Sequence, residues 1–327
     1  MRIMHREERI KRRKIAFCGL GSIGTRHLKN LRTVLDERGE TYSIDWISTA
    51  ATVPANTAEN INKQNQEGIR KRFSYEDEID HDYDIIFVTN PTSKHCKTIE
   101  KYQWYTKSLF IEKPLFAFPD ERLKEVNPDC LFYVACPVRY KRVVQYVKNH
   151  INPEEVLSAM TVCSSYLPEW RKGTDYRKGY SAIKDMGGGV SLDLIHELDY
   201  LSYLLGTVKN IYNIRDQVSD LELDSDDVSV YIAKLDKAVV QVYLDYFGRK
   251  DIRTLTLFCK EDTVLVDLLG NTVEYLSTGE KIELPEERDD FQKRELRYFL
   301  DIIDGKQPNT NDVNRAYQTL KNSFGNV

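Results

Sequence analysis

No run of about eighteen apolar residues occurs anywhere in this 327-residue chain, so the sequence offers no helix fit to span a bilayer. Cysteine is scarce as well. The six present (Cys18, Cys96, Cys130, Cys136, Cys163 and Cys259) include no C-x-x-C pair and follow no zinc-ligand spacing. Neither a disulfide framework nor a metal site is therefore expected, and a reducing cytoplasm is the simpler setting. Excess positive charge is also missing. A formal net charge of -4 provides no global basic field to hold a polyanion, which argues against nucleic acid as a main partner. Internal repeats and low-complexity segments are absent too. These absences leave small-molecule chemistry as the expectation.

What is present suits a globular protein: 41% hydrophobic and 30% charged residues, in a length that exceeds what one core usually supports. Two domains are expected. Residues 1–13 form a basic leader without the apolar stretch of a signal peptide, and they read as a solvated extension. From Lys14 to about Pro114, short apolar runs (KIAFC, YSIDWIST, YDIIFVT, SLFIEKP) alternate with helix-like polar stretches such as TRHLKNLRTVL. This is the rhythm of an α/β domain with a parallel sheet, assigned here to residues 14–149. Lys141 to Asn149 reads as its outgoing connector, with the boundary between Asn149 and Pro153. Residues 150–327 turn to longer strand candidates, including VLSAMTVCSSYL, DDVSVYIAKL and AVVQVYLDYF. One long helix is expected near 189–205 and another over 290–304, the latter free to return to the first domain. The second domain is thus expected to be α+β, with an open, mostly antiparallel sheet.

Gly19, Gly21 and Gly24 fill a G-x-G-x-x-G pattern directly after the strand KIAFC and directly before a helical run. Position matters more than the glycines themselves. The first permits the tight turn, the second lets a pyrophosphate approach the backbone, and the third permits close helix-to-strand packing, while the helix N-terminus offers free N–H groups. Ser22 and Ile23 belong to the same loop. The fingerprint predicts a Rossmann domain that binds NAD or NADP. At the end of the second strand stand Ser48 and Thr49 rather than an acid, which favours NADP; Asp45 falls inside the strand and is read as facing elsewhere.

Two further segments carry a family resemblance. VTNPTSKH, containing Asn90, Pro91 and His95, is followed by FIEKPL, containing Glu112, Lys113 and Pro114; later comes DMGGGVSLDLIHELDYLSYLLG. Their order and spacing resemble the glucose-fructose oxidoreductase, inositol dehydrogenase and rhizopine-catabolism family, written Gfo/Idh/MocA. The resemblance implies that Asn90, Pro91, His95, Glu112 and Lys113 line the cofactor, and that Lys113 and His196 carry the catalysis with Asp193. Read physically, a lysine at the end of a parallel strand lies at the sheet edge where ligands of α/β folds bind, with Pro114 fixing its backbone, through a cis bond if one is present. A surface ion pair between Glu112 and Lys113 is the plain alternative. Asp193, His196, Glu197 and Tyr200 are spaced to share one helix face. The family places its histidine four residues after the aspartate; here the spacing is three, which leaves the roles of Asp193 and Glu197 open.

Between the domains, WRKGTDYRKGY brings together Trp170, Arg171, Asp175, Tyr176, Arg177 and Tyr180, with Lys184 just beyond. Aromatic rings beside charged donors suit a polyhydroxylated or anionic ligand, although an exposed charged loop looks the same. Arg139 in PVRY and Glu197 are further substrate candidates. The resemblance implies hydride transfer between a nicotinamide and a secondary alcohol or ketone of a sugar or sugar derivative, in amino-sugar or surface-polysaccharide metabolism. An exposed open sheet makes a homodimer or homotetramer the expected form. A methyltransferase leaves FIEKP and the GGG helix without a role. A catalytically inactive sensor of cofactor or sugar is the more serious alternative.

Overall fold

The computed structural model describes residues 12–48 and 68–325. Thr49 and residues 1–11 of the leader lie outside that range. The first strand, β1 (Arg12–Cys18), begins two residues before Lys14. Arg13 thus belongs to the fold: it is 2% exposed, bonds Glu40 through Nε, and places Nη2 2.9 Å from Asp304. Strands β2 (Thr41–Ser48), β3 (Ile69–Ser74), β4 (Ile85–Val88), β5 (Ser108–Ile111) and β6 (Leu131–Val134) complete a sheet of order β3-β2-β1-β4-β5-β6. Every pairing in it is parallel. The central strands β4 and β5 are buried at each position, as helices on both faces require. Strand order reverses between β1 and β4, and at such a switch point the strand ends open a crevice for ligands. Helix α1 (Ser22–Glu37) leaves from the glycine loop, and α2 (His95–Tyr102) follows β4.

Helix α3 (Arg142–His150) does not serve as a connector of the first domain. Its Val143, Val144 and Val147 pack with Val138 into the second core, so the cores part between Cys136 and Val138, upstream of the expected boundary. The second sheet contains β7 (Val156–Tyr166), β8 (Val208–Asp216), β9 (Val228–Leu235), β10 (Val239–Asp245) and β11 (Phe247–Cys259). It ends with β12 (Thr263–Asp267), β13 (Thr272–Tyr275) and β14 (Glu280–Glu283), in the order β14-β13-β12-β11-β7-β10-β9-β8. All neighbours are antiparallel except β7 and β10. One face buries Val240, Val242, Leu255 and Leu257. The other leaves Met160, Tyr212, Ile214, Ile232 and Phe258 exposed.

The single helix expected near 189–205 is two helices, α4 (Val190–Asp193) and α5 (His196–Leu205), separated by Leu194 and Ile195. The cause is a lost helical bond. The Glu197 N–H would donate to the Asp193 carbonyl in a continuous helix, yet it donates to Leu194 O at 3.3 Å, and the Asp193 carbonyl accepts Lys113 Nζ at 2.7 Å instead. Helices α6 (Asp290–Ile303) and α7 (Val313–Ser323) then return to the first sheet. Leu296, Phe299 and Leu300 join Phe17, Phe87 and Phe110 on one face, while Ala316 and Leu320 join Ile86, Val88 and Ile111 on the other. Among the described residues no helix is long and apolar enough to cross a membrane.

Candidate active site

The glycine loop is built as its spacing requires. Gly19 has φ +95° and lies so close to Asn90 that a Cβ would come within 2.9 Å of the Asn90 Cα, while a Cβ on Gly24 would meet the Gly19 carbonyl oxygen at 2.4 Å. Both must remain glycine to let α1, β1 and the β4 end approach one another. Gly21 differs: a Cβ there meets nothing within 4 Å. It caps α1 without a side-chain bond, and the first turn, which includes Ser22 and Ile23, contains no acid. The unpaired N–H groups of that turn therefore face the crevice with the positive end of the helix dipole.

Behind the loop, several residues expected to meet the cofactor are bonded to protein. The buried Glu112 carboxylate bonds His27 Nε2 on α1. Burial alone would raise its pKa, but the His27 hydrogen bond and the charges of His27 and Lys113 outweigh burial and hold it below the ordinary value. The His95 ring is spanned by the carbonyls of Pro114 (3.1 Å), Leu115 (3.2 Å) and Asn90 (3.0 Å), so it braces two strand ends rather than projecting into the crevice. Asn90 is buried and bonds Thr98; Pro91 beside it is exposed. Ser48 ends β2, and the nearest acid, Asp45, is buried under Arg70 (3.0 Å) and Tyr83 (2.6 Å), away from the strand end.

The alternative of a surface pair between Glu112 and Lys113 does not hold, because the two side chains take separate partners. Lys113 precedes a cis peptide bond to Pro114 and reaches the Asp193 carbonyl across the domain boundary. A cavity there is lined by Lys113, Pro114, Ile195, His196, Asp199 and Asn311. Burial, followed by the charges of Lys113 and Arg253, holds the His196 imidazole well below the usual histidine range, so it is neutral at neutral pH.

The helix break dissolves the shared face expected of Asp193, His196, Glu197 and Tyr200. The Asp193 carboxylate turns to Tyr246, whose hydroxyl donates to Oδ2 at 2.6 Å; burial and then the charge of this carboxylate push the Tyr180 phenol well up. Glu197, expected to meet substrate, is fully buried against Arg253 Nε at 2.7 Å, and Tyr200 bonds Thr161 at 2.5 Å. Arg139 is likewise withdrawn: 1% exposed, it grips Asp199 through Nε (2.7 Å) and Nη2 (2.5 Å) and bonds Asn311 at 3.0 Å. The two placements share one reason, because each charge meets an opposite charge from another element.

The 165–184 loop divides in two. Trp170 stands edge-on to Tyr246 at 5.2 Å, and the Arg171 guanidinium lies 5.8 Å over the Tyr180 ring, which joins both to the Asp193 cluster. Asp175, Tyr176 and Arg177 instead close a turn: Arg177 pairs with Asp175 and Glu222, and the Tyr176 hydroxyl accepts the Glu222 N–H. Sequence reasoning missed His27, Tyr246 and Arg253, none of which sits in a local motif; their roles depend on partners 50 or more positions away.

Solved structures share this architecture. UDP-N-acetylglucosamine 3-dehydrogenase from Acidithiobacillus ferrooxidans aligns at 15% identity with a TM-score of 0.71, covering 96% of each chain. Levoglucosan dehydrogenase in complex with NADH and levoglucosan aligns at 15% identity with a TM-score of 0.75 over 96% of each chain. An oxidoreductase from Thermotoga maritima aligns at 15% identity with a TM-score of 0.74, covering 96% of this chain and 94% of the other. No curated protein matches the chain in sequence. Residues 13–127 match the GFO_IDH_MocA model, described as an oxidoreductase family with an NAD-binding Rossmann fold. The N-terminal domain is thus similar to the NAD-binding Rossmann domain of that oxidoreductase family.

Proposed function

We propose that this chain is an NAD(P)-dependent oxidoreductase acting on a secondary alcohol or ketone of a sugar or sugar derivative. One observation carries the reading: Lys113, fixed by a carbonyl freed from the helix ladder, stands with a neutral His196 at the carboxyl edge of a parallel sheet that has an open dinucleotide loop. The residues fit a dinucleotide. Gly19, Gly21 and the first turn of α1 would hold the pyrophosphate, since the Gly21 approach is clear and no acid opposes it. Bound there, the nicotinamide would accept or supply the hydride.

The chain's own residues do the rest. In oxidation, the His196 imidazole takes the hydroxyl proton, which a neutral ring can do and an imidazolium cannot. The Lys113 ammonium polarises the oxygen and stabilises alkoxide character as it develops. Asp193 acts as a positioning residue, aiming Lys113 through its carbonyl while Tyr246 holds its side chain. Ketone reduction uses the same groups in reverse. NADP is favoured over NAD, because Ser48 ends β2 and Asp45 is committed to Arg70 and Tyr83. The leading substrate class is a carboxylated or nucleotide-linked amino sugar, in keeping with Trp170 and Arg171. A second copy of the chain fits the apolar sheet face around Tyr212 and Ile214, which makes a homodimer or homotetramer the expected form; light scattering measures it.

The test is cofactor titration followed by a turnover panel of sugars, sugar acids, inositols and nucleotide sugars. Gly21→Leu should abolish NADPH and NADH binding while leaving the melting curve intact. Unchanged binding in that variant, or no turnover of any sugar by the wild type, overturns the reading.

A further inference from the structure

The end of the β7–β11 pair holds cations that the protein does not neutralise. β11 departs from the register of β7 between Phe247 and Ile252, and the residues between, 248–251, bulge outward. On that bulge Arg249 is exposed, with its guanidinium 3.9 Å over the Tyr166 ring and no hydrogen-bond or ion-pair partner among the described residues. Arg171 is in the same state over Tyr180. The two are linked through the site: Tyr246 bonds Asp193, whose charge also acts on Tyr180, Trp170 packs on Tyr246, and the Trp170 Nε1–H donates to Ser165, the neighbour of Tyr166. Trp170 keeps 37% of its surface exposed. Lys172 and Lys250 adjoin the two arginines, and the four together outnumber the flanking Glu169 and Asp251, which leaves a local positive balance in a chain whose net charge is -4.

We propose that Arg249 and Arg171, with Tyr166 and Trp170, form a subsite for the nucleoside diphosphate of a nucleotide-linked sugar, a deepening that rests on the oxidoreductase reading above. The chemistry distinguishes this ligand from a simple sugar acid. One carboxylate is satisfied by one guanidinium through two parallel hydrogen bonds, whereas two unpaired guanidiniums on separate elements suit two linked anionic groups. A neutral sugar would leave both cations unmatched. The exposed indole supplies the surface on which a base stacks, and Arg177, already neutralised by Asp175 and Glu222, has no part in it.

The probe is uridine diphosphate, titrated calorimetrically into the full chain saturated with NADPH, with uridine and inorganic pyrophosphate as separate arms. Uridine diphosphate should bind more tightly than either fragment, and Arg249→Ala and Arg171→Ala should each weaken it about tenfold or more while NADPH affinity holds. No binding of uridine diphosphate, or binding that neither substitution alters, overturns the subsite and leaves the oxidoreductase reading standing. Should NADPH fail to bind, that underlying reading falls, and the same titration on the chain alone still decides the subsite.

Discussion

Charged side chains flank the α4–α5 helix pair on two sides and are used in opposite ways. Toward the second sheet, Arg253 meets Glu197; toward the first domain, Arg139 meets Asp199. Both pairs are closed, with the acids buried. Toward the cleft, among the described residues, Arg171 and Arg249 meet aromatic rings without an ion-pair partner, and the Lys113 ammonium donates to a carbonyl oxygen rather than to a carboxylate. The residue types are the same. What separates scaffold from site is whether the fold supplies the opposite charge, since a buried pair lacking one partner is expensive, whereas a cation at an aqueous rim can wait for a ligand.

That contrast can be broken from the cleft side first. Lys113→Met and His196→Asn should each lower turnover by about two to four orders of magnitude while cofactor affinity stays near that of the wild type, as loss of acid–base and electrostatic help predicts. Steady-state rates with a fluorescence titration check both halves; near-normal rates in both variants would dismantle the mechanism. On the scaffold side the expected cost falls on folding. Arg139→Ala leaves the Asp199 carboxylate buried without its partner and should destabilise the chain by about 3–5 kcal/mol in urea unfolding. A large rise in the Michaelis constant with stability unchanged would return Arg139 to the substrate site.

The smallest effect sharpens the boundary between the two sides. His196 is held neutral by burial first and then by Lys113 and Arg253, so the acid limb of kcat/KM for alcohol oxidation should lie below the ordinary histidine range. Removing a nearby positive charge makes protonation easier. In Lys113→Met the His196 titration, followed by NMR, should therefore move upward; a downward or absent shift would place the two groups too far apart to cooperate.

Local pattern made the first domain readable. KIAFC followed by GLGSIG named a strand, a turn and a helix, and the structure has all three. The edge strand Ile69–Ser74 escaped because IRKRFS, exposed along most of its length, carries no apolar run. The helix interruption at Leu194 and Ile195 was equally illegible, although the histidine spacing hinted at it: the bond that breaks the ladder comes from Lys113, 80 positions earlier. Glu197 and Arg139 resembled ligand contacts for the same reason. Their neutralising partners lie 56 and 60 positions away, where periodicity carries no information.

The return of α6 and α7 to the first sheet has a consequence for biosynthesis. Phe17, Phe87 and Phe110 complete their packing only against Leu296, Phe299 and Leu300, and Arg13 finds part of its neutralising charge in Asp304. On a translating ribosome the strands of the first sheet must wait for helices made after the whole of the second sheet. The second core, whose buried members lie between Val138 and Val273, has all of them available sooner. Domains generally fold as units, N-terminal first, during synthesis. Here the packing predicts the reverse order, with the first sheet closing after the domain that follows it.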